Sequence, residues 1–263
     1  GLFLEITVLG CWAPYPRAGG ACSGYLVRGS GLNILLEAGN GSLSRLMGEL
    51  DFRRLDAVIV SHLHPDHYLD LYPLRHAIEG AGRDGSRTKP LKLLIPSMPA
   101  QKFQILEGFK KAFETIPIER LPLEKAPFGT PLRRLDLGGL AVRFAPARHS
   151  LPGYALSITG AGKLVFSGDT AWTEELVELA SGADLFLSEA SGQDQDAEYL
   201  QDTHLTARQA GEAARQAGAN RLMLTHFWPE YEPGLLSEEA GQSFGGPVLA
   251  AREGETYRVV PEL

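Results

Sequence analysis

The chain has 263 residues, 44% of them hydrophobic, enough to bury a large core as one big domain or two small ones. Lysine and arginine number 25 against 32 aspartates and glutamates, and the net charge of -7 excludes a surface broadly coated for nucleic acid, though not a local basic path. No run of about 18 apolar residues exists, which excludes a spanning helix, and residues 1–9 read as a strand and not as a secretory leader, so a cytoplasmic location is expected.

In chain order, apolar periodicity predicts strands over 5–9, 23–28 and 33–37, a helix over 42–50, a strand over 57–60 and a helix over 68–79. The glycine-rich stretch 80–87 is expected to be a mobile loop. A strand over 91–95 and a helix over 99–115 follow, then strands over 132–136, 141–145, 154–159 and 163–167. A helix over 173–180, a strand over 184–188, a helix over 206–217, a strand over 221–225 and a helix over 235–242 complete the pattern. Thr173 and Thr206 fall near N-terminal caps. Nothing marks a domain boundary, so residues 1–263 are expected to form a single α/β domain. Cys11 and Cys22 could pair across the intervening loop but, so few in so long a chain, are expected as reduced thiols.

The stretch Ser61-His62-Leu63-His64-Pro65-Asp66-His67 packs three imidazoles and a carboxylate into six residues. Imidazole nitrogen and carboxylate oxygen suit Zn²⁺, or Mn²⁺, Fe²⁺ or Co²⁺, and no cysteine is close by to favour a softer metal. His62 and His64 point to one side of extended backbone. Pro65 bends the path and can aim Asp66 and His67 at a second ion, so two adjacent metals are expected. Of the remaining histidines, His149, His204 and His226 sit beside expected strand ends or turns, as does Asp169, and only His76 falls outside such a setting. Apolar strands run into His62, into Asp169 and into His226, and rigid strands ending at one edge hold ligands to the accuracy a metal site needs.

These residues resemble the metallo-β-lactamase fold superfamily and, within it, the ribonuclease Z branch. The resemblance rests on HLHPDH at 62–67, RHSLPGYAL at 148–156, FSGDT at 166–170, SEAS at 188–191, THLT at 203–206 and LTHF at 224–227, and covers most of the chain. It implies a four-layer αββα sandwich with the site along one edge. It also implies that His62, His64 and His149 bind one metal, that Asp66, His67 and His226 bind the other, and that Asp169 bridges the two. Asp66 then belongs to both the ligand set and the catalytic set. A homodimer is a further implication.

Paired cations lower the pKa of a shared water and clamp an ester oxygen, so a metal-bound hydroxide acting on a phosphodiester is the expected chemistry. The leaving group needs a proton donor, for which His204 is the candidate, with Glu189 holding its other nitrogen; the matching pair in ribonuclease Z has a similar role. Ser188 stands where that family usually has His.

True transfer-RNA processing enzymes carry a long arm between the metal-binding His and the bridging Asp. Here residues 150–168, 19 in all, hold only two strands and a glycine hairpin, so no arm is expected and small or nucleotide phosphodiesters replace long RNA as the expected substrate. Arg17 could meet a phosphate and Trp12 or Tyr15 could stack on a base, or their loop could simply be packed. Phe227 reads as core, and Trp228 and Tyr231 stay open. The alternatives are a metal-dependent acyl hydrolase (a lactonase or thioesterase), a transfer-RNA 3'-processing endoribonuclease, and a non-catalytic binding subunit. The presence of every expected ligand type argues against the last.

Overall fold

The protein is described here by a computed structural model covering residues 3–125 and 129–261. Six strands, β1 (Leu4–Gly10), β2 (Gly24–Gly29), β3 (Leu32–Ala38), β4 (Ala57–Ile59), β5 (Leu91–Ile95) and β6 (Phe113–Pro117), lie side by side in chain order. Another eight form the second sheet, also in chain order: β7 (Leu123–Glu124), β8 (Leu132–Leu137), β9 (Leu140–Pro146), β10 (Tyr154–Thr159), β11 (Lys163–Phe166), β12 (Leu185–Glu189), β13 (Leu222–Thr225) and β14 (Leu249–Ala250). The last strand, β15 (Thr256–Val259), returns to the first sheet and pairs antiparallel with β1, Leu4 opposite Val259.

Each sheet begins as antiparallel hairpins and becomes parallel: β3 to β6 in the first, β11 to β14 in the second. Parallel neighbours need crossovers, and these supply the helices. Helices α1 (Ser42–Glu49), α2 (Pro65–Tyr68), α3 (Leu71–Asp84) and α4 (Ala100–Gly108) accompany the first sheet. Helices α5 (Glu174–Leu179), α6 (Ala197–Leu200), α7 (Ala207–Ala217) and α8 (Pro233–Phe244) accompany the second.

The period of two along β3 shows how one strand serves two cores. Ile34 and Leu36 point inward to meet Phe144, Leu156 and Phe186 of the second sheet, while Leu35 points outward to meet Leu46 of α1 and Leu74 of α3. All of these side chains are buried. At about 25 cal/mol per Å² of apolar surface, burial on both faces is the dominant force holding the layers together.

The expected αββα order is therefore the observed one, with corrections at single elements. The helix expected over 99–115 stops at Gly108, and Phe113–Pro117 is instead edge strand β6 beside β5. Stretch 80–87 is not a free loop: α3 runs to Asp84, and Arg87 donates to the carbonyls of Arg53, Leu55 and Lys89 at 2.7, 2.6 and 3.0 Å. Strands β7 and β14, of two residues each, are too short to register as periodicity, and β15, with Thr256 and Arg258 exposed, is not among the expected strands either. Thr173 and Thr206 do cap their helices, accepting from the backbone N–H of Leu176 and Gln209. Cys11 and Cys22 are both buried and unpaired, and burial pushes the Cys22 thiol up to about 12. Among the described residues no helix is long and apolar enough to cross a membrane.

Candidate metal centre

Parallel strands bring their carboxyl ends to one edge, and in α/β folds ligands bind there. The first sheet delivers Ser61 through His67 immediately after β4. The second delivers His149 after β9, Asp169 after β11, Glu189 at the end of β12 and His226 directly after β13. His226 sits at φ 63°, an uncommon conformation for a non-glycine residue that costs about 1–3 kcal/mol and is retained where surrounding structure fixes it.

The seven expected ligands converge. His62, His64, His149 and Asp169 offer ligand atoms that all lie within 4.8 Å of one another, and Asp66, His67 and His226 form a second such group. Asp169 stands between them. Its Oδ2 lies 3.3 Å from His62 Nε2, 3.1 Å from His67 Nε2 and 3.8 Å from His149 Nε2, and its Oδ1 is 3.2 Å from His226 Nε2. His76 is exposed on α3, away from the group.

The opposite faces of the imidazoles are held by partners that turn the ligand nitrogens inward. His149 Nδ1 donates to the Thr203 carbonyl at 2.6 Å, which leaves Nε2 with its lone pair. His62 Nδ1 meets Ser61 Oγ at 3.0 Å, and His226 Nδ1 meets Ser191 Oγ at 2.9 Å. His67 Nδ1 contacts the carboxylate of Glu37, which also accepts from Ser61 N at 2.5 Å and Ser61 Oγ at 2.8 Å. Glu37 is fully buried at φ 63° and is the main residue that sequence reasoning missed. A lone acid closing the apolar run Ile34-Leu35-Leu36 was the available signal.

Electrostatics fit a divalent cation. Asp169 Oδ1 and His62 Nε2 are buried polar atoms with no hydrogen-bond partner, a costly arrangement without something to bind. Imidazole nitrogens also face each other: His149 Nε2 and His64 Nδ1 at 3.1 Å, His226 Nε2 and His67 Nε2 at 3.3 Å. Burial, reinforced by His62 and His149, holds His64 down to about 4; burial likewise holds His149 at about 4, over the opposing pull of Asp169. Burial works against charge on His226 too, but Asp169 and Asp66 outweigh it and raise the group to about 10. His67 is raised well above its ordinary value in the same way, and the imidazolium charges hold Asp66 and Asp169 well below theirs against the effect of burial. A metal bound here would replace protons on His67 and His226.

Beside the ligands, His204 Nδ1 lies 2.7 Å from Glu189 Oε2, and Glu189 Oε1 accepts from Thr170 N at 2.6 Å. Burial lowers the His204 pKa and the Glu189 carboxylate raises it, with a net rise. Ser191 Oγ donates to Glu189 Oε2 at 2.5 Å, so one carboxylate connects His204 with the back of His226.

His204, five of the expected ligands (His64, Asp66, His149, Asp169 and His226), and the aromatic residues Tyr199, Trp228 and Tyr231 are among those lining a cavity of about 760 Å³. Of the two readings of the loop holding Trp12, Tyr15 and Arg17, the packed one is what the structure has. Trp12 is nearly buried and donates to Glu253 at 2.6 Å; Tyr15 donates to Glu230 at 3.0 Å. Arg17 lies over the Trp12 ring and donates to the carbonyls of Pro229 and Tyr231 at 2.9 and 2.8 Å. All three fasten the loop, and only Ala13 and Pro14 of it reach the cavity. Phe227 is core, as expected.

Gly168 sets the turn that presents Asp169. Its φ is 58°, and a Cβ there would meet Tyr154 O at 2.6 Å. Gly168→Ala is expected to cost about 1–3 kcal/mol of stability and about tenfold or more in metal affinity. Thermal melts and competition against a zinc chelator check this, and an unchanged metal affinity would show that the turn tolerates a side chain.

Comparison with known proteins finds relatives along nearly the whole chain. The Beta-lactamase superfamily domain matches residues 32–227. The probable metallo-hydrolase YhfI of Bacillus subtilis is 30% identical over 253 residues, 95% of this chain and 98% of that protein. The crystal structure of that metallo-beta-lactamase fold protein matches with a TM-score of 0.87 at 29% identity, covering 97% of this chain and 99% of the other. The mitochondrial ribonuclease Z 2 of Schizosaccharomyces pombe is 31% identical over 231 residues, 84% of this chain but 34% of that protein. A diphosphatase of the PhnP family shares the fold, with a TM-score of 0.71 at 16% identity over 97% of this chain and 96% of that one.

Proposed function

The chain is a metallo-hydrolase of the β-lactamase superfamily, and on that premise we propose that it cleaves small or nucleotide phosphodiesters. Two divalent ions, zinc or in its place manganese or iron, would be held by His62, His64 and His149 on one side and Asp66, His67 and His226 on the other, with Asp169 shared. When bound, such a pair supplies a nucleophile at neutral pH and offsets charge on a phosphoryl group.

The chain's own residues do the rest. The observation that carries the reading is the His204–Glu189 pair beside the ligands: His204 lines the cavity, and with Glu189 it forms a further close group with Asp169 and His226. With Nδ1 engaged by Glu189, His204 keeps Nε2 for the cavity, where a proton can pass to the departing alkoxide. Alkoxides are poor leaving groups, so a phosphodiester of a sugar or alkyl alcohol benefits most from such a donor. The ribonuclease Z relative is in keeping with phosphodiester chemistry. The short path from His149 to Asp169, occupied by β10, β11 and a three-residue turn, favours small substrates over long RNA.

A substrate panel at controlled zinc or manganese content tests this. Bis-p-nitrophenyl phosphate and a dinucleotide should be hydrolysed, with kcat/KM for a lactone and a thioester at least about 100-fold lower, a difference of ~2.7 kcal/mol in barrier. Preference for the lactone or thioester would reassign the protein as an acyl hydrolase. Efficient, site-specific trimming of a precursor transfer RNA, well above the small-diester rate, would make it a ribonuclease Z.

A further inference from the structure

We propose that Tyr199 and Trp228 form a nucleobase-binding subsite at the mouth of the metal cavity, which narrows the substrate class to monoanionic nucleoside phosphodiesters. This rests on the phosphodiester reading above and adds what that reading lacks, a means of recognising the organic part of the substrate.

Tyr199, on α6, is 89% exposed, the most exposed large hydrophobic side chain among the described residues, yet it lines the cavity. Trp228, two residues after ligand His226, is 40% exposed and lines the same cavity. The two rims are fixed relative to each other. Trp228 packs edge-on against Tyr231 with ring centres 5.2 Å apart. Tyr231 Oη in turn donates to Asp196 Oδ2 at 2.7 Å and accepts from Gln195 Nε2 at 3.0 Å, just ahead of α6. Exposed aromatic faces held on ordered elements at a cavity mouth are what base stacking uses.

Charge sets the rest of the ligand. Among the described residues no lysine or arginine lines the cavity, whereas Asp196 does. A phosphomonoester or diphosphate brings extra negative charge, and such groups call for Arg or Lys partners that this wall does not supply. A diester brings one charge, which the metal centre can meet. Beyond the phosphate, most of the surface on offer is aromatic and apolar, supplied by Tyr199, Trp228, Tyr231, Leu200 and Pro14, with Asp196 and Thr203 among its polar groups. A planar base satisfies it, and a volume of about 760 Å³ accommodates a nucleoside.

Two diesters with the same leaving group test the assignment: thymidine 5'-(p-nitrophenyl phosphate) and ethyl p-nitrophenyl phosphate. Tyr199→Ala and Trp228→Ala should each raise the KM ratio of thymidine ester to ethyl ester by about tenfold, with metal content unchanged, and Tyr199→Phe should restore the wild-type ratio. A ratio that stays constant in both alanine variants overturns the subsite. Calorimetric binding of the methyl ester of adenosine 5'-monophosphate, a diester with a poor leaving group, reads the same contact without turnover and should weaken by a similar factor. If the wild type cleaves neither p-nitrophenyl ester, the phosphodiester reading falls, and calorimetry alone decides the subsite. Loss of affinity in the alanine variants upholds it and equal affinity removes it.

Discussion

Asp169→Ala should abolish binding of the proposed metal pair. Wild-type protein saturated with zinc is expected to carry about two ions per chain, and the variant less than one. Among the described residues Asp169 is the one carboxylate whose oxygens lie within 4 Å of four imidazoles, two from each ligand group. Removing it leaves three nitrogens on one side and Asp66, His67 and His226 on the other, with nothing to hold two cations near each other. The turnover of any diester should fall by about 10³-fold or more, roughly 4 kcal/mol of barrier. Asp169→Asn keeps an oxygen donor without its charge and should fall between. Mass-spectrometric metal analysis alongside circular dichroism decides the matter: a folded Asp169→Ala protein that retains two ions would show that the two groups bind independently.

The second large effect is expected at His204, and its signature is selectivity. His204→Ala should retain both metals and lose about two to four orders of magnitude on a dialkyl or dinucleotide substrate. On bis-p-nitrophenyl phosphate, whose leaving group departs with little help, the loss should be small. Equal losses on both would assign His204 to positioning. Glu189→Gln should follow the same pattern more mildly, with one complication visible in the geometry. Glu189 Oε2 also accepts from Ser191 Oγ, which contacts His226 Nδ1, so this variant is expected to loosen the metal group holding His226 as well. Metal content measured beside the rate separates the two effects.

The candidate site was largely legible in the sequence because each of its parts is local. Four ligands fall within six residues, and Asp169 and His226 each close an apolar strand whose direction alone says which edge it reaches. What could not be read depends on distant partners. Glu37 gains its meaning from Ser61 and His67, 24 and 30 residues further on, and an acid at a strand end is ordinarily just a turn residue. Tyr199 directly follows the acidic run Asp194-Gln195-Asp196-Ala197-Glu198, where periodicity says nothing about cavities. The overextended helix has a different cause. Phe103, Leu106, Phe109 and Ala112 keep helical spacing past Gly108, and only pairing with Leu91–Ile95 recruits Phe113–Pro117 into the sheet. Local propensity gave way to a tertiary contact.

The return of β15 to the first sheet has a consequence for how the molecule is made. The partner of Leu4–Thr7 is Thr256–Val259, so β1, made before every other described strand, waits for almost the last described residues before its outer edge is covered. At about 5–20 residues per second, that is a wait of roughly ten to fifty seconds. Through that interval β1 presents unpaired backbone groups along a strand whose side chains are nearly all destined for burial, the kind of edge that recruits other chains. Growing chains of this protein are thus expected to be most prone to aggregation before β15 is made, with β1 the natural target of a holding chaperone.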